Sequence, residues 1–123
     1  MTLTICTGKL HRVRVTEARL DYEGSITIDP LLMEAARILP FQLVHINNMR
    51  DATHWETYVI PGVRGSGDIC LNGCPAHLFY PGDEVIILSL EQMTRADAQN
   101  IKQYVVHVDP QNRLTQLTIK DTG

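Results

Sequence analysis

The sequence has few cysteines, no long apolar run and no excess of basic charge. Its three cysteines, Cys6, Cys70 and Cys74, are an odd number without a CxxC pair, which argues against a disulfide framework and a structural zinc site. No apolar run approaches the ~18–20 residues that span a bilayer, and the amino terminus alternates apolar and polar residues instead of forming a signal-peptide block. We therefore expect reduced thiols, no bound metal, no membrane partner and a cytoplasmic location.

Charge and length narrow the class of protein further. Eleven Lys and Arg residues against 14 Asp and Glu residues give a formal charge of −3, so the chain lacks the broad basic field of a general nucleic-acid binder. A chain of 123 residues with ordinary globular composition fits one compact domain, which usually has ~100–150 residues. We predict a single folded domain over residues 1–123 that does not bind nucleic acid.

Short β-rich segments with two-residue alternation dominate the chain. Helix signals occur at two places only: Asp29 and Pro30 begin an apolar segment that ends at Pro40, and a shorter helix is predicted over about residues 95–101 with Thr94 as its cap. Too few helices exist for the crossovers of a parallel α/β sheet, so a closed barrel is favoured. The predicted strands are Leu3–Cys6, Leu10–Thr16, Ser25–Ile28, Leu43–Asn47, Glu56–Ile60, Ile69–Leu71, Glu84–Leu90, Tyr104–Val108 and Leu114–Ile119.

Two glycine-containing steps stand at the ends of predicted strands. Gly24-Ser25 lies between two of them, and taken alone it indicates a tight turn in which Gly24 supplies unusual backbone angles. Asn72-Gly73 is typical of a two-residue hairpin turn. Neither step points to a function until the rest of the chain is considered.

The motifs along the chain form a specific pattern when they are taken together. They are Gly8-Lys9-Leu10-His11-Arg12, Tyr22-Glu23-Gly24-Ser25-Ile26-Thr27-Ile28-Asp29, Thr57-Tyr58, Arg64-Gly65-Ser66-Gly67, Asn72-Gly73, Ala76-His77 and Pro81-Gly82-Asp83. This pattern resembles the pyruvoyl-dependent aspartate 1-decarboxylase family over nearly the whole chain. The resemblance implies a mainly β fold, the double-psi β-barrel with short helices, which is usually assembled as a homotetramer.

The resemblance also implies a reaction and a self-made cofactor. The backbone is expected to cut itself between Gly24 and Ser25, with or without a maturation factor, and to leave a pyruvoyl group derived from Ser25. The reaction implied is α-decarboxylation of L-aspartate to β-alanine and CO2, a step that supplies pantothenate and coenzyme A. Decarboxylation leaves an electron pair on carbon that ordinary side chains cannot accept, and a ketone at residue 25 provides the acceptor without metal or pyridoxal phosphate.

Residue roles follow from the same resemblance. For self-processing, the Ser25 hydroxyl attacks the Gly24 carbonyl, and the Thr57 hydroxyl stabilises the oxygen charge that develops. Tyr58 is expected to return a proton to the carbanion after CO2 leaves. On the predicted strand these two neighbours, Thr57 and Tyr58, face opposite ways unless the strand bends.

The remaining predicted site residues bind substrate or support the pocket. Lys9 and His11 are two apart and share a face of a strand, so Lys9 is expected to bind a substrate carboxylate and His11 to serve self-processing or pocket structure. Tyr22 and Arg64 are expected nearby in supporting positions. The other predicted substrate contacts are His54, Thr57, Asn72, Gly73, Cys74 and Pro75.

Three positions depart from the family pattern and bear on the substrate. His54 stands where the family has an arginine, and a histidine is shorter, partly charged and unable to make the same two-pronged contact with a carboxylate. Cys74 and Pro75 replace two alanines, and Arg12 or Arg50 could substitute for the missing guanidinium. Two alternatives therefore stay open: the same pyruvoyl chemistry on another small amino acid, or an unprocessed barrel that is no decarboxylase.

Overall fold

The computed structural model describes residues 1–121 and consists mainly of β-strands; the last two residues of the predicted domain, 122 and 123, lie outside that range. One α-helix, α1, spans Pro30–Ala35 within the described residues, and 3-10 turns span Cys74–His77 and Asp97–Asn100. No helix in this part of the chain is long and apolar enough to cross a membrane. The strands are β1 (Thr2–Arg14), β2 (Glu17–Arg19), β3 (Ser25–Ile28), β4 (Leu43–Asn48), β5 (His54–Pro61), β6 (Ile69–Asn72), β7 (Glu84–Thr94), β8 (Lys102–Val108) and β9 (Leu114–Asp121).

The sheet closes into a barrel. Its strand order is β2-β6-β3-β5-β4-β7-β1-β8-β9. In this order β1 and β2 stand near opposite ends, yet along the chain they are separated only by Val15 and Thr16, so the two ends of the sheet must come together. The backbone N–H of Thr16 donates to the carbonyl of Ile69 at 2.8 Å and ties the end of β1 to the start of β6. β1 pairs with β8, β2 with β6 and β3 with β5 in parallel. The mainly β fold with few short helices confirms the double-psi β-barrel class expected from the sequence.

Alternate residues of the barrel strands fill the interior, because successive side chains of a strand point to opposite faces. The intervening residues of β6, β3, β5 and β4 therefore lie on the outer face of the barrel, and this face carries most of the predicted site. Leu32 and Met33 of α1 pack against the same interior. The buried strand residues include Leu10, Val13, Ile26, Ile28, Val44, Ile46, Val59, Ile69, Leu71, Val85 and Ile87.

Helix α1 is shorter than the sequence predicts. It ends at Ala35 instead of continuing to Pro40, because Arg37 adopts a left-handed conformation with φ 63°. The N–H of Ile38 donates to the carbonyl of Met33 at 2.8 Å, which is the hydrogen bond of a Schellman helix end. Its predicted start is confirmed, since the Asp29 carboxylate accepts from the N–H of Leu31 at 2.9 Å.

Three other segment predictions were wrong in detail. The first two predicted strands form one strand, β1, whose pairing with β7 shifts between Cys6 and Gly8 and again between Leu10 and Val13. β2 was not predicted, because three residues of sequence Glu-Ala-Arg show no apolar alternation. The predicted second helix is only the 3-10 turn Asp97–Asn100, although the Thr94 hydroxyl does accept from the N–H of Asp97 at 3.2 Å.

Candidate active site

Ser25 lies at the centre of a buried hydrogen-bonded cluster. It is the first residue of β3, pairs with Asn72 of β6, and is only 2% exposed. Its hydroxyl donates to the carbonyl of Glu23 at 3.0 Å and accepts from Nδ2 of Asn72 at 3.0 Å. The same amide nitrogen donates to the hydroxyl of Thr27 at 3.0 Å. These contacts hold the Ser25 oxygen in one position next to the Gly24-Ser25 peptide bond.

Cys70 fixes the orientation of the Asn72 amide from its other side. The thiol of Cys70 donates to Oδ1 of Asn72 at 3.2 Å, so the amide nitrogen is directed toward Ser25. Burial raises the pKa of the Cys70 thiol to about 11, so the thiol keeps its proton at neutral pH. This contact was not predicted from the sequence, although the two-residue spacing of Cys70 and Asn72 on a strand indicates a shared face.

Gly73 allows the chain to pass close to the Gly24 segment. Its backbone angles are φ 78° and ψ −140°, close to a region that is essentially reserved for glycine. A Cβ at Gly73 would lie 2.9 Å from Cα and N of Gly24 and from the carbonyl oxygen of Tyr22. Gly24 itself lacks a positive φ and has no atom within 4 Å of an added Cβ. The unusual backbone expected at Gly24 therefore occurs at Gly73 instead.

Asn72 and Gly73 do not form the hairpin turn that their sequence favours. Asn72 ends β6, and Gly73 leads directly into the 3-10 turn Cys74–His77. Cys74 is exposed and Pro75 is buried, so of these two only Cys74 presents its side chain to solvent. All three cysteines are free thiols, as the sequence predicts.

Tyr58 and Thr57 face opposite sides of β5, as expected for neighbours on a regular strand. β5 pairs with β3 in parallel at Val59 and Ile26, which are both core residues. Because side chains alternate along a strand, Tyr58 lies on the outer face, in the same row of side chains across the neighbouring strands as Ser25. Tyr58 is half-buried. Thr57 is 8% exposed on the inner side.

His54 is held by polar neighbours on the outer face of β4 and β5. Its Nδ1 lies 2.7 Å from Oδ1 of Asn47, and its Nε2 lies 2.8 Å from Oε2 of Glu56. Nε2 of His45 lies 3.4 Å from Oε1 of the same glutamate. The hydrogen bond with His54 lowers the pKa of Glu56, which is therefore anionic at neutral pH. His54 consequently faces a carboxylate of its own chain.

Lys9 and His11 lie on β1, away from Ser25. Lys9 pairs with Leu88 of β7 and with Val105 of β8. The His11 ring packs edge-on against His107 with centroids 5.3 Å apart. Burial, followed by the charges of Lys9 and His107, lowers the pKa of His11. Among the described residues, the hydrogen bonds of the Ser25 cluster involve neither Lys9 nor His11.

The remaining predicted neighbours are engaged at the surface. Tyr22 is 55% exposed, and its ring lies under the guanidinium of Arg19 at 4.9 Å. Three arginines form ion pairs with acidic residues: Arg12 with Glu84, Arg50 with Asp83, and Arg64 with Glu34. Arg12 and Arg50 are thus paired with acidic residues of their own chain.

Comparison with known proteins gives one consistent result. Residues 1–115 match the aspartate decarboxylase family. The chain is 51% identical to the aspartate 1-decarboxylase of Legionella pneumophila (strain Lens) over 94% of this chain and 87% of that one. It is 49% identical to the enzyme of the same name from Clostridium beijerinckii over 96% and 95%, and 46% identical to that from Salinibacter ruber over 100% and 84%. Every residue of the Ser25 cluster lies within the matched range.

Proposed function

This chain belongs to the aspartate decarboxylase family, and from that premise we propose that it makes a pyruvoyl group from its own Ser25. Its reaction is the conversion of L-aspartate to β-alanine and CO2. The observation that carries the proposal for residue 25 is the buried hydrogen bond between Asn72 and the Ser25 hydroxyl. That contact holds a nucleophilic oxygen at the peptide bond that must break.

Self-processing begins at the Ser25 hydroxyl. Its oxygen adds to the carbonyl carbon of Gly24, the peptide C–N bond breaks, and an ester with a free amine at residue 25 results. Elimination then breaks the ester bond to residue 25, so that Gly24 leaves as a carboxylate. Hydrolysis of the remaining enamine consumes water, releases ammonia and leaves the ketone. Thr57 is proposed to donate to the Gly24 carbonyl oxygen while that oxygen carries charge.

The residues around position 25 suit a pyruvoyl group. Nδ2 of Asn72 is a donor, so it can pair with the hydroxyl oxygen before processing and with a carbonyl oxygen afterwards. Gly73 presents no side chain toward the Gly24 segment, and the burial of Ser25 limits access of water. A pyruvoyl ketone supplies the conjugated acceptor for the electron pair that CO2 leaves behind, without a diffusible cofactor.

Tyr58 is the proposed proton donor to the substrate carbon. It stands on the outer face in the row of Ser25, and it is only partly buried. A phenol keeps its proton at neutral pH, so it can transfer that proton to a carbanion. The predicted substrate contacts Asn72, Gly73, Cys74 and Pro75 follow one another at the end of β6 beside this row.

Assembly of several chains is proposed to complete the site, and we propose a homotetramer. Lys9 lies on β1, which does not pair with β3, the strand of Ser25, so Lys9 of one chain is proposed to bind the substrate carboxylate at Ser25 of another. Leu39, Phe41 and Leu43 are 70%, 74% and 55% exposed, and the Phe41 ring contacts Tyr58. Exposed apolar side chains next to a site favour burial between copies.

A reducing compartment suits this protein. Its three cysteines are free, and free thiols persist in the cytoplasm, where disulfides are rare. We therefore propose a cytoplasmic location. If the purified chain fails to cut itself on incubation, we propose that a maturation factor assists the cleavage.

Intact mass spectrometry tests the proposal directly. The incubated protein is expected to separate into residues 1–24 and 25–123, whereas Ser25→Ala stays as one chain. Release of CO2 from a panel of amino acids then tests the substrate, and L-aspartate is expected to react fastest. Turnover of another amino acid without turnover of aspartate would indicate that His54, which stands where the family has an arginine, lies in the substrate site and changes the substrate. An uncut, inactive oligomer would refute the pyruvoyl mechanism.

A further inference from the structure

Three metal-ligating side chains meet on the outer face of β4 and β5. One ring nitrogen of His45, one of His54 and one carboxylate oxygen of Glu56 lie within 4.8 Å of one another. The pairing of the two strands sets His45 opposite Glu56, and His54 precedes Glu56 by two residues on the same face. The side chains of His45, His54 and Glu56 are 28%, 44% and 46% exposed, so an ion has access from solvent.

The hydrogen bonds of His54 leave its Nε2 facing an anion. Nδ1 lies 2.7 Å from the amide oxygen of Asn47, and Nε2 lies 2.8 Å from Oε2 of Glu56. Because both neighbours are acceptors, the ring must either carry two protons or share a cation with the glutamate through the lone pair of Nε2. In the second case Oδ1 of Asn47 accepts a hydrogen bond from Nδ1 of His54, which fixes the tautomer of the ring. Residues that do not bind a metal themselves commonly orient a ligating histidine in this way.

The distances among the three groups suit a small ion. Zinc bonds of ~2.0–2.1 Å in tetrahedral geometry separate ligand atoms by about 3.4 Å. The distance from Nε2 of His45 to Oε1 of Glu56 is 3.4 Å, which already matches. The distance from Nε2 of His54 to Oε2 is 2.8 Å, and it reaches the tetrahedral value after a shift of roughly 0.6 Å. Rotation of two exposed side chains provides such a shift.

We propose that His45, His54 and Glu56 bind one divalent metal ion of the zinc class per chain, with Asn47 orienting His54. Two imidazoles and one carboxylate are typical zinc ligands, whereas calcium and magnesium prefer oxygen ligands only. Three protein ligands leave a fourth position open to a solvent or carboxylate oxygen. Tyr58 follows Glu56 by two residues on the same face, ~7 Å along the strand, so the ion would border the proposed active site. Binding of the ion does not depend on processing at Ser25.

Titration with zinc alone tests this site. Wild-type protein and the unprocessed Ser25→Ala variant are stripped with a chelator, freed of it, and titrated with Zn²⁺ against a chromophoric competitor. Both are expected to bind one ion per chain. His45→Ala, His54→Ala and Glu56→Gln are each expected to weaken the affinity at least tenfold, and Asn47→Ala about tenfold. Zinc should raise the melting temperature of the wild type more than that of His54→Ala.

Two control variants separate this site from adventitious zinc binding. His77→Ala removes a histidine outside the cluster, and Cys74→Ser removes an exposed thiol; both are expected to keep the wild-type zinc affinity. Equal affinities in the wild type, His45→Ala and His54→Ala would overturn the proposal, as would affinity that depends on Cys74. Since Ser25→Ala enters the same titration, a failure of zinc binding is distinguished from a failure of self-processing.

Discussion

At the level of single residues, the site depends on the orientation of one amide. Asn72 has both of its amide hydrogens in use, one on Ser25 and one on Thr27. Its oxygen accepts from Cys70. An amide satisfied on every side in a buried position has little freedom to rotate, so it keeps the Ser25 oxygen in place.

Replacement of Asn72 by aspartate should slow self-cleavage while the shape of the side chain is kept. The variant Asn72→Asp has acceptors where Ser25 and Thr27 need a donor. Loss of one hydrogen bond costs about 1–1.5 kcal/mol, which corresponds to about a tenfold slower rate. The fraction of chain cut over time, followed by intact mass, measures the effect. Asn100→Ala, at an exposed position, is the matched control, and a wild-type rate in Asn72→Asp would contradict the assigned role.

Cys70 is proposed as a positioning residue for the same reaction, because its thiol donates to Oδ1 of Asn72. Cys70→Val keeps a similar volume but removes the thiol donor, so the amide of Asn72 is expected to lose its fixed orientation and cleavage to slow several-fold. Cys70→Ser restores a donor and should recover most of the rate, which a purely space-filling role would not predict. The same cleavage assay measures both variants, and equal rates in the valine and serine variants would refute the role.

Only part of this site could be predicted from the sequence. Gly24, Ser25, Asn72 and Gly73 belong to recognisable motifs, and the structure places them together. The reason for Gly73 was wrong, because close approach to Gly24 is a contact between distant segments that the Asn-Gly pattern does not show. The partner of His54 was missed for another reason, since Glu56 follows it by two residues on β5 and this spacing already indicates a shared face.

At the level of elements, one carboxylate joins helix α1 to the loop before β6. Asp29 is 3% exposed and accepts from the backbone N–H groups of Leu31, Gly65 and Gly67, each at 2.9 Å. The cap signal was visible in the sequence, whereas the contacts with the loop were not. A buried carboxylate with three backbone donors stabilises both elements together.

Asp29→Ala should therefore lower the free energy of unfolding by more than the loss of a helix cap alone would. The lost cap hydrogen bond and two unsatisfied backbone donors together amount to about 2–4 kcal/mol. Urea denaturation of the Ser25→Ala background, which stays one chain, measures the change without interference from cleavage. Asp109→Ala, which removes a similar turn contact at a less buried place, should cost less, and equal effects would contradict the assignment.

Element boundaries illustrate what local patterns cannot show. The alternation of apolar residues located most of the strands because burial on one face imposes it. The end of α1 is different: a Cβ at Gly8 of β1 would lie 1.9 Å from the carbonyl oxygen of Ala36. The helix must thus finish against the strand at this point, which is a packing constraint between segments far apart in sequence.

At the level of the whole molecule, we propose that different chains share a site. Lys9 takes no part in the hydrogen bonds of the Ser25 cluster within one chain, so the proposed site combines Lys9 from one chain with Ser25 from another. Lys9→Ala and Ser25→Ala are each expected to be inactive or nearly so when expressed alone. Co-expression should restore part of the decarboxylase activity, because mixed oligomers contain some sites with both native residues.

Controls for the mixing experiment are straightforward. Two Ser25→Ala chains with different tags should give no activity when they are co-expressed, and light scattering should report a tetramer for the wild type. If mixed oligomers form but no activity returns, Lys9 and Ser25 act within one chain or Lys9 has no role.

The most direct test of the proposed function is whether residue 25 becomes a carbonyl group. Freshly purified and incubated protein is treated with a hydrazine reagent, and the mass of each fragment is measured. Residues 25–123 are expected to carry one adduct, and residues 1–24 are expected to carry none. A tetrameric wild-type protein that remains a single chain of 123 residues and forms no adduct would contradict the proposed pyruvoyl group.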